Sequence, residues 1–107
     1  MAVGTAAANT ISPGENVKIT SGGTYTVQGG TYTNSISINT AEEVTLEIAG
    51  EITVERDRFI TVKNACKELK IMNNQNYKVT IYWRTLLENE NKDATVTFEG
   101  GIYEGSP

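Results

Sequence analysis

Histidine is missing from all 107 residues, and cysteine, tryptophan and proline are almost so, with one Cys, one Trp and two Pro. Without histidine the commonest general base is gone. Neither a nucleophile elbow nor a phosphate-binding loop replaces it. Cys66 alone cannot close an internal disulfide. It reads as a small buried or turn-side thiol; a reactive or inter-chain role would require exposure. Basic charge is also short, with 9 Lys and Arg against 13 Asp and Glu and a net charge of −4. That balance argues against nucleic acid, whose phosphates call for a basic surface. No stretch approaches the ~20 consecutive apolar residues of a membrane-spanning helix, so no membrane partner is expected. The opening MAVGTAAANTIS has neither the basic start nor the apolar segment of a cleavable signal.

What is present is strand chemistry in short pieces. Residues 43–62 hold three apolar–Thr–apolar runs: Val44 to Leu46, Ile52 to Val54 and Ile60 to Val62. β-Branched residues that alternate in this way suit a pleated surface with one dry and one wet side. The pattern recurs. Val17/Ile19, Val44/Leu46, Leu69/Ile71 and Val96/Phe98 are spaced 27, 25 and 27 residues apart. A second set, Tyr25/Val27, Ile52/Val54 and Val79/Ile81, is spaced 27 and 27. A third set is Ile36/Ile38 and Ile60/Val62, with a blurred copy at Leu86/Leu87. Small residues and Asn recur between the first and second runs (Gly22-Gly23, Gly50, Asn73-Asn74, Gly100-Gly101), as tight corners require.

Three strands per repeat with turns in register predict an all-β fold, a short parallel β-helix of about three and a half coils. The alternative is an antiparallel β-sandwich, which also shows many short strands. Against it, the chain has no Asn-Gly or Asp-Gly hairpin signal. On the β-helix reading, residues 1–16 form an N-terminal arm or cap, and 17–107 form the β-helix domain. Its coils are expected near 17–40, 44–65, 69–93 and 96–107. The segment 64–70 is the only helix candidate, and a short one. Two outward ladders follow from the spacing: Thr26, Thr53 and Thr80, and Lys18, Thr45, Lys70 and Thr97. Both read as cross-strand pairs that also offer a flat polar strip. The last coil ends with no amphipathic helix to cover it, which points either to a fragment of a longer chain or to a homo-oligomer through open β-helix ends.

Three stretches carry a family resemblance. They are VKITSGGTYTVQG from Val17, SISINTAEEVTLEIAGEITV from Ser35 and FITVKNACKELKI from Phe59. The matching positions are Ile19, Thr20, Gly23, Thr24, Tyr25, Val27 and Gly29, then Ile36, Ile38, Val44, Leu46 and Ile48, then Ile60, Val62, Ala65, Leu69 and Ile71. Together they resemble a carbohydrate-binding, polysaccharide-lyase-like β-helix domain found in secreted or surface proteins of Clostridia and related bacteria. The resemblance implies a right-handed parallel β-helix that binds plant-type polysaccharide, with calcium in some members. This chain is shorter than that family's domains and lacks an acidic calcium-type repeat.

Candidate chemistry is sparse. Glu51, Glu55 and Asp57 lie close in sequence, as do Glu42, Glu43 and Glu47. They read as a solvated acidic face balanced by Arg56 and Arg58, with calcium as the functional possibility because oxygen ligands suit it. The segment 88–93 reads as a solvated charged loop. Tyr25 is expected in the core. Tyr77 and Tyr82 are expected on the outer surface near Arg84, with Trp83 inward. Exposed aromatics stack on sugar rings, so Tyr77, Tyr82, Trp83 and Arg84 form the candidate ligand-binding set. The expectation is a noncatalytic polysaccharide-binding module, extracellular or at the bacterial surface, with no required cofactor. The alternative is a structural subunit of a self-assembling filament or virion-associated fibre; a degenerate lyase comes last.

Overall fold

The computed structural model describes residues 9–82 and 85–106. Its strands are β1 (Thr10–Ile11), β2 (Val17–Ile19), β3 (Gly23–Val27), β4 (Gly30–Tyr32), β5 (Ile36–Ile38), β6 (Val44–Ile48), β7 (Ile52–Val54), β8 (Ile60–Val62), β9 (Glu68–Tyr82), β10 (Leu87–Asn89) and β11 (Thr95–Ser106). Every pairing among them is parallel. Adjacent strands in sequence never pair, as expected when each strand turns a corner and meets its neighbour one coil later. The fold is a β-solenoid of about three turns, and the antiparallel sandwich is excluded.

The tube has three faces. The first stacks β1, β3, β6 and the opening halves of β9 and β11. The second stacks β4, β7 and the closing halves of β9 and β11. The third stacks β2, β5, β8 and β10. β9 and β11 each run through a corner, which joins the first two faces into one hydrogen-bonded sheet.

Alternation fills the interior. Ile36, Ile38, Val44, Leu46, Val54, Val62 and Leu69 are fully buried, with Thr or Ser between them facing out. Each such side chain contributes roughly 1.5–3 kcal/mol of burial. The ring of Tyr32 meets that of Phe59 at 5.0 Å. Cys66 is buried and burial pushes its thiol up, the core placement expected for it. The segment 64–70 is turn and strand, and no α-helix occurs among the described residues.

The columns differ from the sequence expectation in the first coil. Val17 and Ile19 lie beside Ile36 and Ile38 on the third face, not beside Val44 and Leu46. Tyr25 and Val27 lie beside Leu46 and Ile48, not beside Ile52 and Val54. The second-face partner of Val54 is Tyr32. The polar ladders shift accordingly, to Thr24, Thr45, Lys70 and Thr97 on the first face and Thr31, Thr53 and Thr80 on the second. Lys18 instead pairs Ser37, and Thr26 pairs Glu47.

The reason lies in coil length. Gly23 sits over Val44, Val44 over Leu69 and Leu69 over Val96, so successive turns lengthen from the start of the tube. The first corner is short because Gly29 and Gly50 touch. A Cβ on Gly29 would lie 3.1 Å from the Gly50 Cα, and one on Gly50 would lie 3.0 Å from the Gly29 Cα. The later corner is longer and is braced by Asn73, which is fully buried. Its side chain accepts from the Tyr77 N–H and donates to the Tyr77 carbonyl, both at 2.8 Å. Asn76, at φ 56°, accepts from the Gly101 N–H of the next coil.

Candidate functional site

A trough of about 540 Å³ lies on the outer side of the third face. Its floor follows from strand alternation: Ser37, Thr61 and Glu88 occupy one outward column across β5, β8 and β10. Ser35 extends the floor at the first coil. One wall is residues 56–58, where the corner after β7 is longer than the corner after β4. Phe59 anchors this loop in the core at 2 % exposure. Arg58 adopts φ 57°, a left-handed conformation uncommon outside glycine, and that turns the loop over the trough. Asp57 ties it to the next coil by accepting from the Thr85 N–H at 3.2 Å.

The trough is ionic and nearly balanced. Arg58 lies 3.7 Å from Asp57 and 3.4 Å from Glu88, and Lys63 lies 3.3 Å from Glu90. All of these groups are substantially solvated, so each pair contributes only ~0–1 kcal/mol. Arg56 also lines the trough and has no ion pair among the described residues. Hydroxyls below and alternating guanidinium, ammonium and carboxylate groups above make a surface rich in donors and acceptors. Such a surface suits a polyhydroxylated ligand lying across the coils.

The sequence-based site is distributed differently. Trp83 and Arg84 lie outside the described residues. Tyr82 is 39 % exposed at the end of the second-face segment of β9. Tyr77 opens that same segment, about 17 Å away at strand rise. It has the parity of Val79 and Ile81 and packs half-buried against the core, so it does not share the outer surface with Tyr82. Tyr77 instead borders a smaller hollow of about 260 Å³ with Glu47, Ala49 and Asn74. Among the described residues, no group of three or more Asp, Glu, Cys or His side chains is placed to hold a metal ion.

Of the trough residues, Arg56, Asp57, Arg58, Glu88 and Glu90 were visible in the sequence as two charged interruptions, 56–58 and 88–93. The contacts that unite them span 30 residues from Arg58 to Glu88 and 27 from Lys63 to Glu90. A one-coil offset between opposite charges was the available signal.

Set against known protein families, curated proteins and solved structures, the chain finds no match. What stands from the family resemblance is the β-solenoid architecture.

Proposed function

We propose that the protein is a noncatalytic polysaccharide-binding module that holds its ligand in the trough of the third face. The observation that carries this reading is the trough itself, a hydroxyl floor walled by ion-paired residues and by Arg56, which has no ion pair among the described residues. Sugar hydroxyls both donate and accept, and they exchange readily with such pairs because the pairs are weakly held. The absence of histidine leaves the commonest acid–base group out of any catalytic scheme. An extracellular or cell-surface setting fits a ligand of this class.

Affinity electrophoresis through gels containing neutral or acidic polysaccharides, with calcium or with chelator, tests the proposal. Retardation in at least one gel is expected, weakened several-fold in Arg56→Ala; mobility unchanged in every gel would end the reading. The chelator arm separates a calcium-assisted ligand from one bound by side chains alone.

A structural subunit assembled by stacking of coils is the second reading. The long edge of β11, unpaired among the described residues, with Phe98 and Ile102 exposed beside it, favours it.

A further inference from the structure

The two ends of the tube present unequal edges. At the first end, Ile11 is buried at 2 % exposure and Pro13 lies against Gly30. Asn34 there accepts from the Gly14 N–H and donates to the Glu15 carbonyl. Proline has no N–H to offer, and these contacts use up backbone groups that an added strand would need. At the other end, β11 has its inner edge paired to β9 along its length, and no strand lies beyond it among the described residues. Phe98 and Ile102 are 45 % and 47 % exposed.

The direction of the free hydrogen bonds can be read from the register. The Thr95 N–H points back to the Lys67 carbonyl at 2.9 Å, so by alternation Val96 and Phe98 aim theirs outward. Those are also the residues whose side chains continue the interior columns over Leu69 and Ile71. A strand added here would extend hydrogen bonding and core together.

We propose that this end is a self-complementary interface, and that two copies of the 107-residue chain close on each other about a two-fold axis through the middle of the first face. The solenoid climbs as it winds. β10 on the third face is therefore the lowest step of the end surface, β11 on the first face the middle one, and its closing half on the second face the highest. The difference from lowest to highest is about 3 Å, two-thirds of one strand spacing. Rotation about this axis sets the high step of each copy against the low step of the other, so all three edges meet. Thr97 then faces Thr97 of the second copy, and Val96 faces Phe98 across a hydrogen-bonded antiparallel pair. On the outer side of the first face Thr95 faces Glu99, which is paired to Lys70 at 3.5 Å, so no like charges are opposed there. Where the closing half of β11 meets β10, Glu104 and Glu88 approach, each already paired to a cation, Lys78 at 3.7 Å and Arg58 at 3.4 Å. Such an interface is isologous and closes at two copies, unlike the head-to-tail stacking that builds a fibre. It leaves the outer surface of each tube free and does not rest on the polysaccharide reading.

Sedimentation across a wide concentration range, combined with cysteine cross-linking at one position, tests the proposal. The wild-type chain is expected to sediment as a monomer–dimer equilibrium with no larger species. Phe98→Asp should weaken the dimer roughly thirtyfold or more, as loss of a central anchor does, with an unchanged circular dichroism spectrum. Thr97→Cys should cross-link to a single dimer band under mild oxidation. Non-hydrogen-bonded antiparallel partners lie ~4.5 Å apart at Cα, within disulfide reach. Cys66 is buried, and wild type supplies the control. A strict monomer, an open series of oligomers, or a wild-type dimer whose Thr97→Cys variant fails to cross-link would each overturn the proposal.

Discussion

Two tyrosines, one near each end of the tube, show how differently those ends are finished. Tyr32 on β4 is fully buried, and its hydroxyl is shared between the carbonyls of Gln28 at 2.6 Å and Ile11 at 3.1 Å. Tyr103 on β11 lies over Val79 and meets Phe98 edge-on at 5.5 Å. Its hydroxyl is buried beside the Asn73 amide but makes no hydrogen bond of normal geometry among the described residues, because the Asn73 side chain is committed to the Tyr77 backbone. Burial raises both phenols. Tyr32 is pushed up to about 12, whereas the rise at Tyr103 is tempered by Asn73. At the first end an incoming segment satisfies part of the core beneath it, with β1 over Thr26 and Val27 and Pro13 against Gly30. The second is a core surface with its aromatic pair in place and nothing above Phe98 among the described residues.

The largest expected difference between the ends is in truncation. Tyr32→Ala should lower stability by about 3–5 kcal/mol, the cost of emptying a large packed site, whereas Phe98→Ala should cost the monomer no more than about 1 kcal/mol. Urea unfolding of both variants at low protein concentration checks this. Equal losses would mean that the second end is as well packed as the first.

Alkaline titration sharpens the contrast. A tyrosine whose pKa is higher folded than unfolded stabilises the unfolded chain relative to the fold once pH passes the unfolded value near 10, because the free phenol ionises first. The fold is therefore unaffected below about pH 10 and loses stability progressively up to the folded value of about 12. Thermal unfolding between pH 9 and 12 should show a loss of roughly 2–3 kcal/mol. Tyr32→Phe should flatten most of that slope and leave the smaller part due to Tyr103. At neutral pH, Tyr32→Phe should cost about 1–3 kcal/mol by stranding two carbonyls, while Tyr103→Phe should be neutral or slightly stabilising.

The smallest effect is expected at the surface. Glu99→Gln removes the partner of Lys70 near the open end, a pair held at 3.5 Å with both groups solvated. Its cost should stay below about 1 kcal/mol and vanish in high salt, as measured by urea unfolding at two ionic strengths. A larger, salt-insensitive loss would show that the pair is shielded, as a partner over β11 would make it.

Much of the fold was legible in the chain. Apolar–Thr–apolar triplets mark strands whatever their neighbours do, and triplets such as Ile52 to Val54 and Val79 to Ile81 kept the spacing expected of them. The first coil was misread for a physical reason. All three faces use the same triplet, so Val17/Ile19 carries nothing that says which face it joins. That choice depends on corner length, which rests on contacts such as Gly29 against Gly50 and Asn73 against the Tyr77 backbone. Exposed tyrosine near arginine did not point to the third-face trough, and Tyr77 is drawn toward the core by its parity with Val79.

By itself, then, the sequence determined that the chain is built of short strands with one dry and one wet side, stacked in a repeating coil. Alternation along a strand is local, and a two-residue period needs no knowledge of what lies a coil away. Only the tertiary structure decided which strands stand side by side, and so placed Arg58 against Glu88, Lys63 against Glu90 and the trough between them. It also decided that β1 and the segment after it cover part of one end of the tube while, among the described residues, no strand lies beyond β11 at the other. Those outcomes depend on how far each corner carries the chain before the next strand begins, a sum over many small contacts that no single triplet records.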